Sequence, residues 1–342
     1  MYIKREQSQS ILFLTRLYHP HIGGVEKHVK LLSEMLFQKG FSITLVTERF
    51  DNRLPLFEKI GDIGVYRIPV GKNLGTKKFY IWKWMILHLP ILWRCDVIHV
   101  HDVFYWLLPV RLLILTKKVY ITFHGYEGSP LKKTWIWQRK IAEKLSHGTI
   151  CVGDFMKKWY FTSPTSVVYG AVRLTSKKFT ENSQSAVFFG RLDSQTGILE
   201  YVKAYGLIRK KYPNFKLTII GEGELAKKIP KDIKILKFTH DVSKYIGKNR
   251  FIFVSRYLSM LEALVQKKEI FAVYNTPIMK DYLLMSPFAK YISVSSSGED
   301  IADKVILSLK VGKDSKKIDK GYEWAKKQTW DNMVNIYLKL WQ

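Results

Sequence analysis

Strand-like and helix-like segments alternate along this chain of 342 residues. That order predicts an α/β protein made of two doubly wound parallel-sheet domains. Three observations carry the prediction. Apolar runs of strand length alternate with segments whose apolar positions repeat at helical spacing. The series stops and restarts once, through the weakly patterned stretch 170–185. The length suits two domains, each able to bury its own core.

The elements follow in order. Residues 11–15 form a first apolar run, ending at the turn His19-Pro20-His21-Ile22-Gly23-Gly24. Val25, Val29, Leu32, Met35 and Leu36 then fall on one helical face, and Gly40 closes that helix. Strands are expected at 41–47, 65–69, 97–100, 119–123 and 149–152, with helices near 103–116 and 131–146. After the break, strands are expected at 186–189, 216–221, 233–238, 251–254, 270–274 and 291–294, with a helix over 197–211. The last segment carries Met333, Ile336, Tyr337 and Leu340 at helical spacing. The expected organisation is an N-terminal domain over 1–170, a second over 171–328, and a C-terminal helix over 329–342 that crosses back to the first. Ligands of such sheets gather at the carboxyl ends of the strands.

Composition excludes several classes. Hydrophobic residues make up 47% and charged residues 25%, so the chain is not disordered throughout. No apolar run reaches the length of a spanning helix, and residues 1–10 lack the apolar core of a secretory signal. Two cysteines, Cys95 and Cys151, cannot form a disulfide framework, which suits a reducing cytoplasm. The net charge is +27, from 56 Lys+Arg against 29 Asp+Glu, and it divides evenly: +13 over 1–168 and +14 over the rest. An even excess is no basic tail; it favours anionic partners such as phosphorylated substrates or acidic lipid.

Candidate chemistry lies at strand ends. Gly23 and Gly24 open a helix after the first strand, where backbone N–H groups and the helix dipole suit a phosphate. No G-x-G-x-x-G and no G-x-x-x-x-G-K-[ST] occurs, so dinucleotide and P-loop classes lose ground. His99 and His101 share one face of a strand, with Asp102 next; they read as structural hydrogen-bonding groups or, less readily, as a metal set. His124 closes the strand 119–123, with Glu127 close behind. In the second half Gly190 and Arg191 end a strand, and arginine suits bidentate phosphate contact. Gly221 and Gly223 flank Glu222 at the next strand end, and Glu262 is expected early in a helix beginning near Leu258.

Taken together, these segments resemble the retaining glycosyltransferases of family 4. The matching stretches are His19-Pro-His-Ile-Gly-Gly-Val-Glu26, Asp96-Val-Ile-His-Val-His-Asp102, Thr122-Phe-His-Gly125, Phe189-Gly-Arg-Leu192, Gly221-Glu-Gly-Glu224 and Ser255-Arg-Tyr-Leu-Ser-Met-Leu-Glu-Ala-Leu264, with the helix opening at Trp330-Asp331. The resemblance runs through the whole chain in the family's order. It implies the GT-B fold, two Rossmann-like domains facing across a cleft. By that resemblance Gly23 and Gly24 flank the donor phosphates, Arg191 binds the pyrophosphate, Glu262 holds the donor ribose, and His124 contacts the donor sugar. His101, Gly190, Gly223, Arg256 and Leu258 complete the expected substrate-binding set. Where the family usually carries Lys after that Arg, this chain has Thr196; where it usually carries a first Glu, this chain has Val254. Arg256 is the candidate for replacement charge.

The resemblance implies retaining hexosyl transfer from a nucleoside-diphosphate sugar, with no cofactor and no metal. Two aromatic stretches, 79–93 and 104–115, mix Trp, Tyr and aliphatics with neighbouring Lys and Arg. Such segments suit a membrane interface, or alternatively a buried core helix. The expectation is therefore a cytoplasmic protein, peripheral on the inner face of the cell membrane, acting on a lipid-linked or cell-envelope glycan acceptor. Two rivals stand beside it. One is an inactive GT-B protein serving as a binding partner in envelope-glycan assembly. The other is a nucleic-acid binder, for which only the charge speaks.

Overall fold

A computed structural model describes residues 9–71, 73–174, 179–239 and 241–342. The chain divides into two units. The first runs to Val152 and adds Met156–Val168 and Trp330–Gln342; the second comprises Gly153–Phe155 and Tyr169–Thr329. Within the stretch expected as a break, residues 175–178 lie outside the described residues, as do residues 1–8 of the N-terminal segment.

In the first unit the chain forms β1 (Ser10–Thr15), α1 (Gly24–Gln38), β2 (Ser42–Glu48), β3 (Phe57–Ile60), β4 (Ile63–Ile68), α2 (Leu74–Leu87), α3 (Leu89–Trp93), β5 (Val97–His101), β6 (Lys118–Phe123), α4 (Lys133–Leu145), β7 (Gly148–Val152), α5 (Phe155–Tyr160, whose first residue clusters with the second unit) and β8 (Ser166–Val168). Its sheet has the order β3-β4-β2-β1-β5-β6-β7-β8, parallel except for the β3–β4 hairpin. The central strands read as continuous apolar runs because both faces are covered; Ile11 to Leu14 and Val97, Ile98 and Val100 are fully buried. On α1, Val29, Leu32 and Leu36 face the core, and Gly40 takes φ 92°, the left-handed conformation that follows a helix end.

One expected helix is absent. Residues 103–116 fold instead as two short 3-10 turns, Phe104–Leu107 and Arg111–Ile114. Pro109 stands between them; it supplies no N–H to a helical ladder, and its ring clashes with the preceding turn. The aromatic stretch 79–93 is likewise divided, α2 ending at Leu87 and α3 restarting with Pro90 in its first turn.

The second unit forms β9 (Asn182–Phe189), α6 (Ile198–Lys211), β10 (Lys216–Ile220), β11 (Lys234–Leu236), α7 (Ser243–Lys248), β12 (Asn249–Phe253), α8 (Tyr257–Leu264), β13 (Glu269–Val273), α9 (Pro277–Leu284), β14 (Ser293–Ser295), α10 (Gly298–Val311) and α11 (Ser315–Ala325). All its strand pairs are parallel, in the order β11-β10-β9-β12-β13-β14. Phe188, Tyr201, Phe253 and Phe271 centre the core, and the Tyr201 hydroxyl donates to the carbonyl of Val254 while accepting the N–H of Val273. The final helix, α12 (Trp330–Trp341), belongs to the first unit, where it packs on α1 and β7.

Both sheets share one winding. Counting from the first strand of each unit, β4-β2-β1-β5-β6-β7 and β11-β10-β9-β12-β13-β14 follow the same pattern. Each reverses direction once, between β1 and β5 and between β9 and β12, and such a reversal opens a crevice at the strand ends.

Candidate active site

The reversal point of the first unit gathers the loop after β1, the end of β5 and the end of β6. The loop delivers Gly23 as the cap of α1, in an extended conformation. A Cβ at Gly23 would lie 2.2 Å from Oε2 of Glu26, so the protein's own carboxylate fills the space beside the glycine. Glu26 also meets the Nδ1 of His21 at 3.0 Å. Gly24 has nothing within 4 Å of a built Cβ and faces open space. Glu26 is a site residue that the glycine reading passed over, although its place three residues past the cap is a readable capping position.

At the ends of β5 and β6 the histidines form a hydrogen-bonded cluster. Nδ1 of His101 meets Nε2 of His124 at 2.8 Å. His99 places Nε2 2.8 Å from the Thr122 hydroxyl and accepts the Trp341 indole N–H on Nδ1 at 3.0 Å. The Tyr337 hydroxyl joins Thr122 at 2.9 Å and His28 Nε2 at 3.0 Å. Burial drives the pKa of His28 down to about 4 and those of His99, His101 and His124 well below the ordinary value. The four rings are therefore neutral at physiological pH. His101 is buried and meets His124 through its Nδ1. Among the described residues no cluster of three metal-ligating side chains forms.

Asp102 follows β5 with φ 64°, a left-handed turn that Asp tolerates better than most residues. Its Oδ1 accepts the backbone N–H of His124 at 2.9 Å. Desolvation by the surrounding protein pushes its pKa up to about 6. Nearby, the buried Arg139 donates to Glu127 Oε1 (2.9 Å) and to the Gly125 carbonyl, with its guanidinium 3.8 Å from the Tyr160 ring centre.

The second unit presents a different site at its own reversal point. Gly190 and Arg191 follow β9, while Ser255 and Arg256 follow β12. Nη2 of Arg191 and Nη2 of Arg256 both donate to Oε1 of Gln195, at 3.3 and 3.2 Å. One amide oxygen thus gathers two guanidinium groups. Arg191 also pairs with Asp193 at 3.2 Å. Thr196, where lysine was expected, is buried, and its hydroxyl bonds the carbonyls of Arg191 (2.8 Å) and Asp193 (2.9 Å). It braces the turn that carries Arg191. Gln195 gave no signal in the sequence.

The glycines after β9 and β10 serve the chain itself. A Cβ on Gly221 would lie 2.0 Å from the Gly190 carbonyl oxygen, and one on Gly223 would lie 2.4 Å from that of Leu192. Backbone crossing alone already requires glycine at both positions. Leu258 lies in the first turn of α8, and Glu262 lies in its second turn, not early as expected. Four residues apart, the two share one helix face. Val254, at the position of the family's first Glu, is fully buried.

Residues 22–175 match the model of Glycosyltransferase Family 4. A phosphatidylinositol N-acetylglucosaminyltransferase subunit of Arabidopsis thaliana is 23% identical over 234 residues, covering 62% of this chain and 52% of that protein. An uncharacterized glycosyltransferase of Methanocaldococcus jannaschii is 24% identical over 253 residues, covering 63% of each. The chain spans less than two thirds of the length of these relatives. Among solved structures, a sucrose-phosphate synthase from Thermosynechococcus elongatus superposes with TM-score 0.75 at 13% identity, covering 97% of this chain and 98% of that one. WaaG, a glycosyltransferase involved in lipopolysaccharide biosynthesis, gives 0.69 at 10% identity, covering 95% and 99%. The chain is thus a protein of the GT-B fold, related in sequence to the family 4 glycosyltransferases.

Proposed function

We propose that the chain is a metal-independent, retaining glycosyltransferase moving a hexosyl unit from a nucleoside-diphosphate sugar to a lipid-linked or cell-envelope acceptor. The observation that carries the donor reading is the pair Arg191 and Arg256, drawn together on Gln195. Two planar guanidinium groups at a strand-end crevice suit a diphosphate, each able to offer bidentate hydrogen bonds. Arg256 supplies the second cation at a site where Thr196 has none. Leu258 and Glu262 lie on the helix that follows Arg256, so the nucleoside is assigned to that face, with Glu262 holding the ribose.

In the reaction, the bond from the anomeric carbon to the phosphate oxygen breaks, and its electron pair leaves with the diphosphate. The acceptor oxygen bonds the same carbon on the same face and gives its proton to the departing phosphate. Arg191 and Arg256 stabilise the charge that develops there. His124, neutral and fixed through His101, positions the transferred sugar and is not a proton carrier.

Two observations support a membrane-borne acceptor. The Arabidopsis relative and a human relative, 25% identical over 108 residues, are named for phosphatidylinositol, a lipid. On the first unit, Phe79, Leu87, Trp93, Leu112, Leu115 and Trp137 are exposed. Their elements touch: the Trp82 indole donates to the Tyr105 carbonyl (2.8 Å), that of Trp93 to Leu113 (3.3 Å), and Arg111 to Leu145 (3.1 Å). Lys78, Lys83, Lys140 and Lys144 stand exposed on the same helices. An apolar surface bordered by lysines suits the headgroup region of an anionic leaflet. No helix among the described residues is long and apolar enough to cross a membrane.

Isothermal titration with UDP and GDP sugars tests the reading. Saturable binding lost in Arg191→Ala is the expected result; binding that survives that change overturns the diphosphate role. Binding without turnover on any lipid-linked acceptor would favour the inactive scaffold, a reading that Thr196 and Val254 support.

A further inference from the structure

The amino end of the second unit's sheet holds a cavity of about 440 Å³, within the range of about 300–1,000 Å³ usual for small-molecule sites. Lys216 and Thr218 reach it from β10, Asn182 and Ser185 from β9, and Lys248 from the last residue of α7. Leu217, Ile219, Ala186 and Phe188 belong to the aromatic core of this unit, so strand alternation turns Lys216, Thr218 and Ser185 to the opposite face. Lys216 and Ser185 are direct neighbours in the β9–β10 register. Between the pairs Asn249–Asn182 and Phe251–Ala186, β12 advances two residues and β9 four. Such a bulge bends the strand that carries it. The bend is held by its own side chains: Asn182 Oδ1 accepts the Gln184 N–H (2.9 Å), and the Ser185 hydroxyl donates to the Asn182 carbonyl (3.0 Å). The floor of the cavity is thus fixed by the chain itself.

We propose that this cavity binds a small, multiply charged phosphate compound, at a site separate from the arginine crevice and independent of the transferase reading. Among the described residues the side chains of Lys216, Lys248, Thr180 and Thr218 make no hydrogen bond or ion pair, and all four can donate. No carboxylate lines the cavity among the described residues. Glu181, the acid beside it in sequence, is taken up by Lys268 (2.6 Å) and Lys313. Two cations that converge without an acid repel each other, and an anion between them turns that repulsion into attraction. A single charge gains little from exposed lysines in water, so the geometry favours a ligand that carries several. The half-buried Thr218 hydroxyl adds the direction that flexible ammonium groups lack. β9 runs from Asn182 at this end to Phe189 at the other, roughly 20 Å at the rise of a strand. Arg191, which follows that far end, therefore cannot share a small ligand with these lysines.

The test titrates inorganic pyrophosphate and, separately, glucose 6-phosphate into the full chain carrying Arg191→Ala and Arg256→Ala, which removes the guanidinium groups of the other crevice. Saturable binding is expected, and the tighter probe names the source, an inorganic diphosphate or a phosphate ester. Adding Lys216→Ala and Lys248→Ala should weaken that binding at least about tenfold. Lys227→Ala with Lys228→Ala removes the same charge from an exposed turn outside the cavity and should leave affinity within about twofold. Thr218→Val changes no charge; it should weaken binding at least about threefold in a protein whose melting is unaltered. Binding of neither probe overturns the proposal. An equal loss from the two lysine pairs does so too, since it would be general attraction to a chain of net charge +27. Full affinity in Thr218→Val also overturns it, because the anion would then sit on the lysines outside the cavity. In the native background Lys216→Ala with Lys248→Ala should leave UDP affinity unchanged; a parallel loss would mean that the two sites are one.

Discussion

The two units wind their sheets alike and fill the resulting crevices with opposite chemistry. At the first, between β1 and β5, stand neutral histidines and the carboxylates of Glu26, Asp102 and Glu127, with Arg139 committed to its own partners. At the second, between β9 and β12, two arginines meet on one amide. Topology made both crevices; their side chains differ in charge and in hydrogen-bonding character. A crevice rich in acceptors suits hydroxyls, and a cationic one suits phosphate. The difference teaches that a shared fold locates sites without naming what they bind.

The comparison breaks most sharply at the arginines. Hydrogen bonds from a guanidinium to phosphate are worth about 1.5–3 kcal/mol, so Arg191→Ala or Arg256→Ala should each weaken UDP binding about tenfold to a hundredfold. The double variant should lose saturable binding. If Arg256→Ala binds UDP as the native chain does, the second unit has one phosphate ligand and the pair on Gln195 is structural. Next in size is Gly221→Ala. Its Cβ would collide with a backbone oxygen at 2.0 Å, and neither strand end can yield freely, so a loss of roughly 2–3 kcal/mol is expected in denaturant unfolding.

In the first unit the cluster itself can be loosened. Tyr337→Phe removes a hydroxyl shared by His28 and Thr122, leaving buried nitrogen and oxygen without that partner; about 1–2 kcal/mol of stability should go. The same cluster sets a pH response. His28 has its folded pKa lowered to about 4, so below about 6.5 the unfolded chain takes up a proton that the folded one refuses. Its stabilising contribution is whole above 6.5 and falls by about 1.4 kcal/mol for each pH unit below it, until pH nears 4. His99, His101 and His124 act in the same direction. Asp102, raised to about 6, opposes them between about 4 and 6, one group against four. Melting temperature should therefore drop from pH 7 to pH 5, and less so in His28→Gln. A flat profile would mean that the rings take up protons within the fold.

These contrasts were unevenly legible in sequence. Strand runs such as residues 11–15 and 97–100 declared themselves because a buried parallel strand needs unbroken apolar residues on both faces. The helix expected over 103–116 failed because apolar periodicity does not register Pro109 as an interruption. Arg191 and Arg256 lie 65 positions apart, and only the pairing of β9 with β12 brings them together. Gln195, which joins them, is an ordinary polar residue with no spacing signal. His28, Thr122, Tyr337 and Trp341 form one hydrogen-bonded chain with His99, yet they are scattered along the sequence. Sequence periodicity reports which face an element buries; it is silent on which polar groups meet beneath that face.

The smallest expected effect separates the two kinds of glycine. Gly24 begins α1, has no positive φ, and a methyl group there meets nothing within 4 Å. Gly24→Ala should therefore leave stability unchanged or raise it by up to about 1 kcal/mol, since alanine restricts the unfolded chain and suits a helix. That neutrality is what makes the variant informative. With the fold untouched, any fall in donor affinity reports a ligand that approaches the backbone closely at the start of α1. An unchanged affinity assigns the donor phosphates to the arginines of the second unit alone. The Glu26 carboxylate already beside Gly23 argues for that second outcome, because an anion entering there would first have to displace it.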